Sequence, residues 1–245
     1  MRPAVAAAFA VVTFSFAAPA ADVKPAGGWT DLMKPAAWKK VDPAWITADD
    51  VKLDPEKATR LTAEKTDGGA AWVNGQKGRL PDLTTKADFG DCEVHVEFLI
   101  AKGSNAGIKF HGVYEIQILD SFGTKKELSG DSMGGIYPRA EITDGKYRHT
   151  DGGVAPKVNA AKPAGEWQTL DVTWRSPRFD EKGDKTENAV VVKAVLNGQV
   201  IHANQELKTP TGTNWTKKET PTGPFLLQCD HGPVAYRAVR IKPAQ

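Results

Sequence analysis

From Cys92 onward, apolar and polar residues alternate with a period of two in one segment after another. The clearest is Cys92 to Ile100, where Cys92, Val94, Val96, Phe98 and Ile100 oppose Glu93, His95 and Glu97. That period is the signature of a strand with one buried face. Trp167 to Arg175 repeats it with Leu170, Val172 and Trp174 inward, and Ala189 to Leu196 is a strongly apolar run. The run ends in Asn197-Gly198, a strong hairpin signal, and Gln199 to Ala203 returns from it. Phe225 to Cys229 and Tyr236 to Ile241 read as closing strands joined by Asp230-His231-Gly232-Pro233. Earlier, short strands are expected within Leu53 to Thr66 and over Ala71 to Val73, separated by the turn Thr66-Asp67-Gly68-Gly69. Trp29, Trp38 and Trp45 read as closing one end of a sandwich. Helical periodicity with caps is missing over any useful length, so the pattern predicts an all-β sandwich or jelly roll.

Two consecutive segments carry an unusual polar face. In Tyr114 to Ser121, Glu115 and Gln117 project from one side of a strand and Ile116 and Ile118 from the other. At Leu119 the alternation slips by one residue, as at a β-bulge, which would return Asp120 to the side of Glu115 and Gln117. Upstream, Asn105 to Gly112 also alternates, with Ile108 and Phe110 opposite Lys109 and His111, and a short Gly112-Val113 connection makes the two segments a hairpin. Lys109 and His111 then lie across from the carboxylates. A strand with one solvated face would look similar.

Five ordered motifs change the weighing. N-A-G-I-K-F-H-G-V-Y-E-I-Q-I-L-D-S-F-G, G-G-I-Y, P-A-G-E-W-Q-T-L-D-V, N-G-Q-V and L-L-Q-C-D-H-G together resemble the bacterial 3-keto-disaccharide hydrolase domain family. The matches run from about Phe89 to Pro243. The resemblance implies a concanavalin A-like jelly-roll sandwich of two antiparallel sheets with a concave active face, and an oligosaccharide or glycoside as substrate. Two departures stand out: members commonly carry an aromatic and an Arg where this chain has Lys109 and His111, and Cys229 interrupts the usual L-Q-D-H-G.

The reaction implied is cleavage of a 3-keto-glycoside by elimination and hydration. The ketone acidifies the C2 hydrogen, one base removes it, the C1 oxygen leaves and water adds to the enone. Such a site needs a carboxylate base, a donor to the enolate oxygen and an acid for the leaving group. Glu115 or Asp120 is the expected base, Lys109 the enolate partner and His231 or His111 the proton source. Asn105, Gln117 and Gln228 are expected to orient hydroxyls. The long irregular stretch Gly123 to Ala164, with a short ordered segment at Gly134 to Arg139, reads as a rim that narrows the concave face. Tyr137 and Arg139 are its expected sugar contacts, whereas His95 and His149 read as solvated.

Three rival uses of these residues remain. Glu115-x-Gln117-x-x-Asp120 has the spacing of the E-x-D-x-x-E strand of laminarinase-like retaining glycosidases, but Asp in place of the distal Glu shortens its reach. Gln in place of the middle Asp removes a charge. A non-catalytic, lectin-like carbohydrate-binding module is the second, since jelly rolls host both. A divalent metal on Glu115, Asp120, His111 and His231 is the third, although no tight two-His spacing supports it; no cofactor is expected.

Composition narrows partners and compartment. With 32 basic and 30 acidic residues the formal charge is +2 and unclustered, which argues against nucleic acid. Residues 1–20 have the layout of a secretory signal peptide, with cleavage after Ala20, and 21–28 that of a linker. The remainder, 29–245, is expected to form one domain, exported to the periplasm or outside a bacterial cell, with no membrane association. Cys92 and Cys229 fall on core-facing positions and either pair or remain two buried thiols.

Overall fold

The computed structural model describes residues 28–75 and 78–244. The signal-like segment 1–20 and the linker through residue 27 lie outside the described residues. In chain order the strands are β1 (Thr30–Asp31), β2 (Ile46–Ala48), β3 (Val51–Leu53), β4 (Leu61–Ala63), β5 (Ala71–Val73), β6 (Leu83–Phe89), β7 (Cys92–Ile100), β8 (Asn105–Phe110) and β9 (Tyr114–Leu119). They continue with β10 (Ala140–Thr143), β11 (Lys146–His149), β12 (Gln168–Arg175), β13 (Arg178–Phe179), β14 (Lys185–Glu187), β15 (Ala189–Leu196), β16 (Gln199–Leu207), β17 (Gly223–Gln228) and β18 (Val234–Pro243). Among the described residues the only helical segments are two 3-10 turns, Pro35–Ala37 and Thr213–Thr216.

Two antiparallel sheets form the all-β jelly-roll sandwich. The larger runs β16-β15-β12-β7-β18-β5-β2, with β1 also on β18, and the smaller runs β6-β17-β8-β9. Period-two alternation decides what lies between them. Val94, Val96 and Phe98 of β7, Leu170, Val172 and Trp174 of β12, and Val239 and Ile241 of β18 share one buried cluster with Ile108, Phe110, Ile116, Ile118, Phe225 and Leu227 of the smaller sheet. Phe110 stacks on Trp174 across the interface, with ring centroids 4.6 Å apart and 10° between planes. Burying side chains of this size contributes roughly 1.5–3 kcal/mol each, so the sandwich interior carries the stability. On the outward face of the larger sheet His95 sits between Asp171 and Glu97, with its side chain only 14% exposed rather than solvated.

The smaller sheet has one more partner. Ile136 bridges Ile116 on one side and Val154 on the other. Gly134 and Gln117 exchange bonds with the opposing chain (Gly134 N to Gln117 O, 2.8 Å; Gln117 N to Gly135 O, 2.8 Å), and Tyr137 N donates to Glu115 O at 3.1 Å. The ordered segment expected at Gly134 to Arg139 is therefore an extra pairing along the free edge of β9. Edges left unpaired invite other chains.

Several expectations need correcting. The register of β8 on β9 runs unbroken from Asn105↔Leu119 to Phe110↔Tyr114, so no bulge follows Ile118 and the strand stops at Leu119. The hairpin turn covers His111 to Val113: His111 and Gly112 have φ of 53° and 69°, and Val113 N–H donates to Phe110 O. β6 was missed because its Thr-Thr-Lys-Ala-Asp run offers only Leu83 and Thr85 inward. Within the stretch expected to be irregular, β10 and β11 form an almost wholly exposed hairpin.

Asn74 ties β5 to the turn that carries His231. Its Nδ2 donates to Cys229 O at 2.9 Å and Gly232 O at 3.0 Å, and its Oδ1 accepts from Val234 N at 2.8 Å. The side chain is 1% exposed, so truncation strands three buried groups. Asn74→Ala is expected to cost about 2–4 kcal/mol in denaturant unfolding; a loss under about 0.5 kcal/mol would show that the tie is unimportant.

Candidate active site

Three neighbouring chains place three side chains in one row. Lys109 of β8 pairs with Glu115 of β9, and Glu115 faces Tyr137 of the edge segment, whose neighbours Ile116 and Ile136 are paired. Residues opposite one another across a ladder share a face, about 4.5–5.5 Å apart at Cβ. Lys109, Glu115 and Tyr137 therefore point together, away from the sandwich interior, into a cleft of about 460 Å³. That volume lies within the ~300–1,000 Å³ range of small-ligand sites. Asn105, Gln228 and His231 line it too, with Tyr147, Gly212, Thr213 and Asn214 on the far rim.

Glu115 is the anomaly of the row. It is 4% exposed although it borders the cleft, and its Oε2 lies 3.1 Å from Lys109 Nζ. The other oxygen lies over Gly107: a Cβ built there would stand 2.5 Å from Glu115 Oε1. A side chain there would make the carboxylate shift, so a residue that otherwise weakens a strand keeps the space for Oε1 open. Burial pushes the Glu115 carboxyl above its ordinary value and the nearby Asp82 adds to the push, while the charge and hydrogen bond of Lys109 and the charge of His231 oppose it. Asp82 is itself raised, chiefly by burial, despite accepting a bond from Cys229 N at 3.0 Å.

The other expected site residues divide. Asn105, Lys109, Glu115, Tyr137, Gln228 and His231 reach the cleft. His231 is about half exposed and its Nδ1 is paired with Asp230. Gln228 Oε1 is buried without a hydrogen-bond partner among the described residues. Tyr137 bonds His149 Nε2 through its hydroxyl at 3.0 Å.

Four residues do not line the cleft. Asp120, freed from the strand by the missing bulge, accepts a bond from Gly103 N at 2.8 Å and caps that turn. His111 occupies the hairpin turn, with its Nε2 3.0 Å from Ser176 Oγ and its ring against Tyr114 and Trp174; burial lowers its affinity for a proton. Gln117 is fully buried and donates to Asp131 at 2.6 Å, anchoring the rim. Arg139 pairs with Asp151 and lies over Trp215. The four-residue metal set is thereby dispersed, and among the described residues no three His, Cys, Asp or Glu side chains are arranged to hold a metal ion. Cys92 and Cys229 are unpaired and buried, which pushes the Cys92 thiol up to about 12.

Asp82, Tyr147, Thr213 and Asn214 were not foreseen. Asp82 follows Pro81 in a stretch without periodicity, and the other three sit on the exposed β10–β11 hairpin and the 3-10 turn Thr213–Thr216, far along the chain from Glu115.

The sequence profile of the 3-keto-alpha-glucoside-1,2-lyase-like domain matches residues 27–242. No curated protein sequence matches the chain. Among solved structures, a candidate glycosyl hydrolase from Parabacteroides distasonis is similar with a TM-score of 0.57 and 22% identity, over 85% of this chain and 82% of that one. A second from the same organism has a TM-score of 0.49 and 17% identity over 82% and 99%. A β-glucanase from Bacillus licheniformis has 0.40 and 14% over 90% and 100%. At such identities the first of these shows a shared fold. No described helix is long and apolar enough to cross a membrane.

Two outcomes follow from the geometry. Lys109→Met removes the largest opposing influence on Glu115, so its carboxyl should titrate at higher pH than in wild type, followed by ¹³C chemical shift of the labelled side chain; a downward move would contradict the row. Gly107→Ala should push the carboxylate off its seat and shift the same resonance without unfolding the protein, whereas an unchanged titration would show that Glu115 lies elsewhere.

Proposed function

Since the chain belongs to the 3-keto-alpha-glucoside-1,2-lyase-like domain family, a carbohydrate-active one, we propose that it cleaves 3-keto-glycosides or 3-keto-disaccharides by removing the C2 proton. The observation that carries this reading is the seating of Glu115: a nearly buried carboxylate, raised in basicity, beside a cation and at the wall of an open cleft. A base works best when its pKa approaches the working pH, and burial moves a carboxylate that way. Glu115 takes the C2 hydrogen, and the electrons left behind move into the C3 carbonyl. Lys109, within reach of the same carboxylate, holds the enolate oxygen by charge. As the enolate collapses, the C1–O bond breaks. Water then adds to C1 of the enone, and Glu115, its proton having exchanged with water of the open cleft, protonates C2. His231, at the mouth and oriented by Asp230, suits the proton exchange with that water. Asn105 and Gln228 supply amides for hydroxyls.

The rival readings lose their footing on particular residues. Retaining hydrolysis needs two carboxyl groups about 5–5.5 Å apart, and Asp120, the proposed second one, is engaged at Gly103 outside the cleft. A lectin groove has no use for an ion pair whose desolvation costs several kcal/mol per charge.

The test is to offer the purified protein a 3-keto-glucoside and its unoxidised parent and follow the released aglycone. Cleavage of the oxidised sugar alone is expected, and Glu115→Gln should reduce it by at least ~100-fold. Cleavage of the parent alone would establish a conventional glycosidase, and binding without turnover a lectin.

A further inference from the structure

The elimination written above lacks a donor for the departing oxygen. We propose that the phenol of Tyr137 protonates that oxygen and that His149 delivers the replacement proton from solvent; this rests on the elimination reading.

Tyr137 is fixed beside Glu115 by its backbone, through the 3.1 Å bond from its N–H to Glu115 O. Its side chain is thus the cross-strand neighbour of the base, on the flank opposite Lys109, and it lines the same cleft. Base, cation and phenol form one row of adjacent side chains. The segment is held on its other side, since Arg139 N and Nε both bond Asp151, at 2.9 and 2.6 Å.

Behind the phenol stands an imidazole. His149 Nε2 lies 3.0 Å from the Tyr137 hydroxyl, the rings meet edge to face at 5.2 Å, and His149 is exposed on β11. One end of this pair faces the cleft and the other faces water. The groups acting on the phenol are Tyr147 and His149 from β11, Asp131 from the rim and Glu115 from β9. Burial, then Tyr147, Asp131 and Glu115, raise the phenol above its ordinary value, so it keeps its proton at neutral pH. A weak acid suffices for an alkoxide, which is a strong base.

The step balances. Glu115 gains the C2 proton, the C1–O electrons stay on the leaving oxygen, and that oxygen takes the phenolic proton. Products are an enone and an alcohol, and His149 reprotonates the phenolate.

The experiment compares two 3-keto-glucosides that differ only in aglycone, one nitrophenyl and one methyl. A nitrophenolate leaves without help, whereas methoxide does not. Tyr137→Phe should lose at least ~100-fold in kcat on the methyl glycoside and no more than a few-fold on the nitrophenyl one; the second arm also reports that the variant is folded. His149→Ala should lose activity on the methyl glycoside alone and regain it with added imidazole, which a structural role would not do. Equal losses by Tyr137→Phe on both substrates, or none on either, would overturn the phenol assignment while leaving Glu115 as base. If wild type cleaves neither oxidised glucoside, the elimination reading falls with it.

Discussion

A carboxylate sealed among strands is expensive, and this fold is arranged to tolerate one. An ion taken from water loses several kcal/mol of hydration, which a single cation restores in part. Lys109 sits 3.1 Å from Glu115, and the absent side chain of Gly107 gives the second oxygen somewhere to lie. The carboxyl nonetheless remains above its ordinary value. That residual discomfort is the useful quantity: the group holds a proton more readily than an exposed glutamate would, and it faces the cleft.

The rest of the molecule makes such a seat possible. The larger sheet and the apolar face of the smaller one close on each other, so β8 and β9 are backed by packed side chains and their outward faces are free for chemistry. The edge of β9 is not left open. The segment 134–137 pairs with it and brings a phenol beside the carboxylate, while Gln117 and Asp131 fasten the preceding loop. A rim built on strand pairing gives side-chain positions that an untethered loop would not hold.

Much of the fold was legible because period-two alternation is a direct imprint of burial. β7, β12 and β15 follow their apolar sets, and the Asn197-Gly198 turn stands where the hairpin required it. β6 was not legible, since two inward side chains make no pattern. At the site, Glu115 and Lys109 were read from their strand periods, and the hairpin then made them neighbours. Asp120 failed because a slip in alternation has two causes, a bulge or the end of a strand, and only tertiary pairing distinguishes them. His111 failed for a related reason: the turn began one residue earlier than Gly112, and the ring rotated towards Trp174. Asp82 and the Tyr137–His149 contact come from loop packing and long-range closure, for which local sequence has no code.

If Glu115 draws a proton from carbon, the exchange can be watched directly. Turnover of a 3-keto-glucoside in D₂O, followed by NMR of the released keto sugar, should place deuterium at C2 faster than in the absence of protein, and Glu115→Gln should abolish that gain. Release of the aglycone with hydrogen retained at C2 would mean that the C2–H bond never broke, and the seat built around Glu115 would then serve some other chemistry.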